Sequence, residues 1–417
     1  MNQLPDELLL HVFSFIGDNC ATNDIYIYEF GSTVSLKCIA SIGAVCSRWQ
    51  RIVTSRPSDI PVFFSYPGDP RAFTTYARHI VKAHLTSERK FLCAEVCALL
   101  SCLPSLVQCE VHIVPGSASW THASLRELKM KYVSSDYVNY PTDLNMPELR
   151  SLFVGCSSET TDPLSHHPSN GDFLLRCVAR SPRLVSMGIL QPIRSGGVLE
   201  ALPYKIPCLT SLSMSAITCV SDFARLLSKL PSLRCLDLSH LTYTFYDDIN
   251  FPKVFNHARP LVSVSLPRLA SNTFLHSLAQ RASCLASLSL QDNENLSRSG
   301  YQAVSTMTGL RTLAFKSLPL QSAEQEQGIL GAVMALKQLE RLELVDNCLS
   351  VAFFKSLSHP SLTKLNLSKS SHLDGDSWNF CAVRFPLLNQ LKVTYCPHIN
   401  AGIPSLGGLR NISVVQF

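Results

Sequence analysis

The sequence predicts an α/β fold: an all-helical segment at the N-terminus, followed by a curved solenoid of short parallel strands on the concave side and helices on the convex side. Three observations carry that prediction. A leucine phrase returns thirteen times along the chain. Helical patterns and prolines fall between its copies. Residues 1–57 lack the phrase and instead show two amphipathic helical patterns.

Composition narrows the classes before any element is placed. The chain has 417 residues, 46% hydrophobic and 16% charged, against about 25% charged in an average soluble protein. So large an apolar fraction excludes disorder. A net charge of +5, with basic residues scattered and no Arg/Lys block, implies no nucleic-acid partner. No run approaches the roughly 20 consecutive apolar residues that a membrane-spanning helix needs. The start, Met1 to Glu7, is acidic and carries Pro5, unlike the basic opening of a signal peptide, so the sequons at Asn295, Asn366 and Asn411 are expected to stay unmodified. The 16 cysteines include no Cys-x-x-Cys pair. Their densest group, Cys93, Cys97, Cys102 and Cys109, has spacings unlike a zinc site, and buried thiols serving as small hydrophobes are expected. The cysteine usage implies a reducing compartment, cytosol or nucleus.

In chain order, the first element is a helix over Leu4-Pro5-Asp6-Glu7-Leu8-Leu9-Leu10-His11-Val12-Phe13-Ser14-Phe15-Ile16. A proline stands near its start and acids fill its first turn. Leu8, Leu9, Val12, Phe13 and Ile16 recur three and four apart and make one apolar face. A second helical pattern runs through Leu36, Ile39, Ile42, Val45, Cys46, Trp49 and Ile52. The phrases Leu-Pro-x-Glu-Leu-Leu and Val-Cys-x-x-Trp resemble the F-box, over roughly the first 55 residues. The stretch from Asp18 to Val34 is longer than the usual connection and reads as an inserted loop. The resemblance implies that a Skp-family adaptor docks here and links the chain to a cullin, with Leu4, Pro5, Leu8, Leu9, Val12, Val45, Cys46 and Trp49 forming or supporting its surface. A segment this small has little core of its own. The same helices can also serve as the cap that a repeat array needs.

Residues 58–100 form a join and a degenerate capping repeat: Val62-Phe-Phe-Ser65 reads as a first strand, Tyr66-Pro-Gly-Asp-Pro70 as a turn, and Pro70 to Lys82 as a helix. From residue 101 the repeat sets in. Leu-x-x-Leu-x-Leu appears as Leu209-Thr-Ser-Leu212-Ser-Met214, Leu233-Arg-Cys-Leu236-Asp-Leu238, Leu285-Ala-Ser-Leu288-Ser-Leu290 and Leu339-Glu-Arg-Leu342-Glu-Leu344, among others. Weaker copies start at Leu106, Leu125, Leu149, Leu184, Leu261 and Leu409. The steps run from 19 to 29 residues, with one of 35, which is the period of leucine-rich repeats. Alternation places the leucines of each phrase on one face of a short strand. Helical patterns such as Asp222–Leu230 and Phe274–Arg281 follow, and Pro104, Pro182, Pro231, Pro360 and Pro386 close helices ahead of the next strand. The final phrase, from Leu409, is expected to lack a covering helix.

The repeats resemble the cysteine-bearing subtype found with F-boxes, in which a Cys or Asn ends the strand. Val154-Gly-Cys156, Val345-Asp-Asn-Cys348 and Val393-Thr-Tyr-Cys396 stand in that place, as turn-capping groups rather than nucleophiles. No catalytic motif is present in the sequence, and in that family the protein makes no bonds but positions a substrate for other subunits. A non-catalytic substrate receptor of an SCF-type ubiquitin ligase is the implied function, without cofactor or metal. The alternative is a repeat scaffold, or a regulator of a partner protein, with no ligase role. Two substrate-binding regions are candidates. On the concave strands the N-terminal half is small and nearly uncharged (Ser211, Ser213, Ser215, Cys235, Asp237, Ser239, Ser263, Ser265, Ser287, Ser289, Gln291), whereas the C-terminal half (Lys316, Arg341, Glu343, Lys364, Asn366, Lys392, Thr394) leans basic, and Lys316, Arg341, Lys364 and Lys392 suit an acidic or phosphorylated segment. Aromatic excursions, Tyr132/Tyr137/Tyr140 and Tyr243/Phe245/Tyr246, offer anchors.

Overall fold

The computed structural model describes residues 62–64, 82–85, 91–114, 119–132, 143–156, 170–190, 196–215, 220–239, 241, 255, 260–267, 270–281, 283–293, 296–318, 322–370, 384–396 and 411–415. The N-terminal helical patterns and the inserted loop lie outside them. The chain divides into two compact units, Met1–Leu209 and Thr210–Phe417.

In the first unit the elements are β1 (Val62–Phe64), β2 (Lys82–Leu85), β3 (Phe91–Leu92), α1 (Cys93–Cys102), β4 (Gln108–Val114), β5 (Ser119–Thr121), β6 (Glu127–Tyr132), β7 (Asp143–Asn145), β8 (Ser151–Cys156), α2 (Asn170–Ala179), β9 (Ser186–Leu190) and α3 (Gly196–Lys205). The strands pair in parallel in the order β1-β2-β4-β6-β8-β9, and β3 lies beside the far end of β4. Val62–Phe64 is a strand, as its apolar run implies. Lys82, expected to end a helix, instead begins β2, which pairs with β4 through Ala83 opposite Cys109.

A second departure is chemical. The links after β4 and after β6 carry short strands where helices were expected, and β5 and β7 pair in parallel with Ser119 opposite Asp143. The buried residues explain it: Trp120 and His122 on one link, Leu144 and Met146 on the other, lie two apart. That is the period of a strand. The 19-residue step from Leu106 to Leu125 also leaves little room for a helix. α1 packs beside β5, and α2 beside β7.

The second unit comprises β10 (Ser211–Met214), α4 (Val220–Ser228), β11 (Cys235–Asp237), β12 (Ser263–Leu266), α5 (Asn272–Arg281), β13 (Ser287–Gln291), α6 (Arg298–Ser305), β14 (Thr312–Lys316), α7 (Ala323–Ala335), β15 (Arg341–Val345), α8 (Val351–Ser356), β16 (Lys364–Asn366), β17 (Gln390–Thr394) and β18 (Asn411–Val415). These strands are parallel and stacked in chain order. Parallel neighbours require a crossover, and here the helices supply it. Leu212, Leu236, Val264, Leu288, Leu313, Leu342, Leu365 and Leu391 stand opposite one another strand by strand, all buried. A strand begins two residues into each of the thirteen phrases.

The helical layer is linked from one N-terminus to the next. Ser297, the N-cap of α6, donates its N–H to Asn272 of α5 at 3.1 Å and accepts from the Asn272 amide at 2.9 Å. Ser350, the N-cap of α8, donates both its N–H and its hydroxyl to Glu326 of α7, at 2.8 and 2.6 Å. In these two pairs α5 and α7 each contribute a side chain to the N-cap residue of the next helix.

Two buried histidines form a device that the periodicity does not reveal. His122 donates from Nε2 to the Leu103 carbonyl at 2.8 Å, and His359 to the Leu336 carbonyl at 3.0 Å. In both cases a serine two residues on, Ser124 or Ser361, donates to backbone carbonyls of the preceding repeat. Burial holds the His359 pKa below its ordinary value of 6.5, with the nearby Lys337 charge acting in the same direction and hydrogen bonds to Leu336 and Val333 opposing it. The neutral tautomer with hydrogen on Nε2 satisfies the carbonyl.

Candidate functional site

In the second unit, alternate strand residues form the leucine core and leave the others on the open face of the sheet. Register orders that face into rows. The first reads Ser211, Cys235, Ser263, Ser287, Thr312, Arg341, Lys364 and Gln390; the second reads Ser213, Asp237, Ser265, Ser289, Ala314, Glu343, Asn366 and Lys392. Over β10–β13 the side chains are short and, Asp237 aside, uncharged. Asp237 is engaged locally, accepting from the N–H and hydroxyl of Ser239 at 2.9 and 2.7 Å. Burial raises the Cys235 thiol above its ordinary range, so it stays protonated.

Over β14–β17 the face changes character. Glu343, whose side chain is only 12% exposed, accepts from Arg341 through Nε at 2.8 Å and Nη2 at 2.6 Å, and pairs with Lys316 at 3.6 Å. Two of the four cations singled out in the sequence are therefore drawn together by one carboxylate on β15: Arg341 from the same strand and Lys316 from β14 beside it. Lys364 and Lys392, on the next two strands, are exposed and have no ion-pair partner among the described residues. Asn366 stands between them in the register, its Oδ1 accepting from Ser368 N–H and hydroxyl. Counting Lys316, Arg341, Lys364 and Lys392 against Glu343, the patch carries 4 − 1 = +3. By contrast, the open face of the first unit has Glu110 between Lys131 at 2.7 Å and Lys129 at 3.9 Å. There, Phe153 lies over Gly188, where an added Cβ would collide with the ring.

At the strand exits, Asp292, Ser317, Asp346, Lys369 and Tyr395 occupy one structural position and all adopt positive φ, from 48 to 60°. The N–H groups of the first four each donate to a carbonyl of the following repeat, at 2.7 to 2.9 Å. The next residue is buried and closes the turn. Asn347 accepts from Leu318 N–H at 2.8 Å and donates to the Phe315 carbonyl at 2.9 Å. Asn293 does the same for Ala270 and Gln291. Cys396 is buried and donates to the Leu367 carbonyl at 3.3 Å, the turn-capping role expected of it. Cys348 is exposed, so in that repeat the cap is its neighbour Asn347: an amide supplies both donor and acceptor, which a thiol does poorly. Cys156 is outside the described side chains. Cys109 is buried in the core of the first unit, its thiol pushed up to about 12 by burial and by Glu110.

The expected adaptor residues, Leu4, Pro5, Leu8, Leu9, Val12, Val45, Cys46 and Trp49, are outside the described residues, as are the aromatic excursion Tyr243, Phe245 and Tyr246 and the Tyr132, Tyr137 and Tyr140 side chains. Among the described residues no helix is long and apolar enough to cross a membrane.

Comparison with known proteins identifies an F-box-like domain at residues 1–58. No curated protein sequence matches the chain. Among solved structures, the chain is similar to TLR13 in its complex with ssRNA13, at 15% identity and a TM-score of 0.46, covering 81% of this chain and 53% of that one, so that it spans about half the length of that relative. It is similar to a yeast Rad7 and Elc1 complex at 16% identity, TM-score 0.44, with 97% and 92% of the two chains covered. A leucine-rich repeat-containing protein from Legionella pneumophila, LegL7, aligns at 16% identity and TM-score 0.44, over 64% of this chain and 83% of that one.

Proposed function

We propose that this chain is the substrate-recognition subunit of an SCF-type ubiquitin ligase, working in the cytosol or nucleus. The observation that carries the reading is the join of two parts: an F-box-like domain at residues 1–58, and repeats whose core leaves a polar sheet face unused. The first recruits a Skp-family adaptor and through it a cullin, with Leu4, Pro5, Leu8, Leu9, Val12, Val45, Cys46 and Trp49 at or supporting the contact. The second holds the substrate protein, with Lys316, Arg341, Lys364 and Lys392 on the sheet and Tyr243, Phe245 and Tyr246 on an excursion as contacts. The chain itself makes and breaks no bond. Holding a substrate lysine near the loaded ubiquitin raises its effective concentration, and proximity of that kind removes much of the entropic barrier to transfer.

The test is binding of a purified Skp-family adaptor to the full chain and to a Leu8→Ala/Trp49→Ala variant. The intact chain is expected to retain adaptor through gel filtration and the variant to lose it, with unchanged thermal unfolding of the repeats. Equal retention by both chains removes the assignment.

A further inference from the structure

We propose that the open face of β14–β17 holds an extended anionic segment of the substrate, with Lys364 and Lys392 as the primary contacts and Arg341 and Lys316 flanking them. The inference rests on the receptor reading and names the class of ligand for it.

Four cations occupy four adjacent strands, one on each, and face the same way. Three strand spacings span about 14 Å, which an extended chain crosses in four or five residues. One carboxylate, Glu343, offsets part of this charge and holds Arg341 and Lys316 beside itself. Lys364 and Lys392 keep their charges unpaired among the described residues and exposed. Such a charge excess is self-repelling and contributes nothing to the leucine core. Among the described residues of the second unit it is confined to these strands: in the same rows β10–β13 carry serines with Cys235 and Asp237, the latter taken up by Ser239, room enough for the uncharged flank of a bound chain. A nucleic acid is a poorer fit, because its affinity is built from many neutralised phosphates and this patch offers four cations, two of them held by Glu343.

Fluorescence polarisation on the purified full chain, without adaptor, tests the inference. The probes are three labelled peptides of about eight residues, alike except that alternate positions hold glutamate, phosphoserine or glutamine. The intact chain is expected to bind the glutamate or phosphoserine peptide over the glutamine one, more weakly as salt rises, and the tighter of the two identifies carboxylate or phosphate as the natural group. Lys364→Glu/Lys392→Glu is expected to weaken the tighter peptide at least about tenfold, and Lys355→Glu, on the helical side, to leave it unchanged. Glu343→Gln is expected to tighten binding about twofold or more, a gain that partial unfolding cannot mimic. No preference for anionic peptides, equal loss in Lys355→Glu, no gain in Glu343→Gln, or displacement by a single-stranded oligonucleotide at lower concentration than the unlabelled peptide would each overturn it. Failure here leaves adaptor binding untouched, so the two readings fall separately.

Discussion

Strands β10–β13 and β14–β17 share one backbone register and one buried ladder, from Leu212 to Leu391, yet their open faces differ in kind. The first is mostly serine, with Cys235 and Asp237 on β11. The second carries four cations and a largely buried glutamate. The buried positions have little freedom, because every strand must present a leucine-sized side chain to the same layer of helices. The open positions carry no such demand. Where repeats that agree in their cores diverge on their faces, binding rather than folding is the better explanation of the divergence.

That comparison breaks most readily at the ladder. Leu288 lies under the serine face and Leu342 under the charged one, and both are fully buried. Truncation of either to Ala is expected to cost about 2–5 kcal/mol in denaturant unfolding, similarly for the two. A loss at one site only would mean that the two halves do not share a core.

Comparable in size is the turn cap. Asn347 is 1% exposed and serves both Leu318 and Phe315. Asn347→Ala leaves two buried backbone groups unpaired and is expected to cost about 2–6 kcal/mol, from about 1–3 for each group. Cys348→Ala next to it, exposed, is expected to change little. Equal effects would return the cap to the cysteine.

Acidification sharpens the comparison further, since it acts on the charged half. The His359 pKa is lower folded than unfolded, so below 6.5 the unfolded chain binds more protons than the folded one. The stability that neutral His359 contributes is complete above pH 6.5 and is lost as pH falls below that value toward the folded pKa. His359→Gln is expected to be less stable at neutral pH and to flatten this part of the pH profile. An unchanged profile would show that His359 is not the group responsible.

The smallest expected effect is the most telling for the face. Lys364→Glu/Lys392→Glu is expected to leave unfolding within about 0.5 kcal/mol of the parent, since exposed charges distant from caps and core contribute little. A large loss would mean that these lysines belong to the scaffold.

How much of this was legible in the residues follows from what constrains them. The strands formed by the leucine phrases were readable because burial on one face forces alternation. β2 was not, since Lys82-Ala83-His84-Leu85 has too short an apolar pattern to separate from the end of a helix. β5 and β7 were missed for a similar reason: three residues each, recognisable only once Trp120 and Leu144 are known to face inward. At the turns, Cys and Asn stand side by side in Val345-Asp346-Asn347-Cys348, and only the left-handed backbone at Asp346 decides that Asn347 points in. Among the proposed contacts, the four cations were visible as residue types. That Arg341 and Glu343 share a face follows from alternation along β15, but that Glu343 also reaches Lys316, and that Lys364 and Lys392 stay unpaired among the described residues, depends on how neighbouring strands stand beside one another.

The most direct test of the division of labour between the two ends of the chain is affinity purification from proteasome-inhibited cells, comparing the full chain with its Leu8→Ala/Trp49→Ala variant. Adaptor and cullin are expected with the full chain alone, while ubiquitin-bearing clients of the full chain persist, without their ubiquitin, on the variant. Adaptor and cullin on both chains, or on neither, would contradict the account.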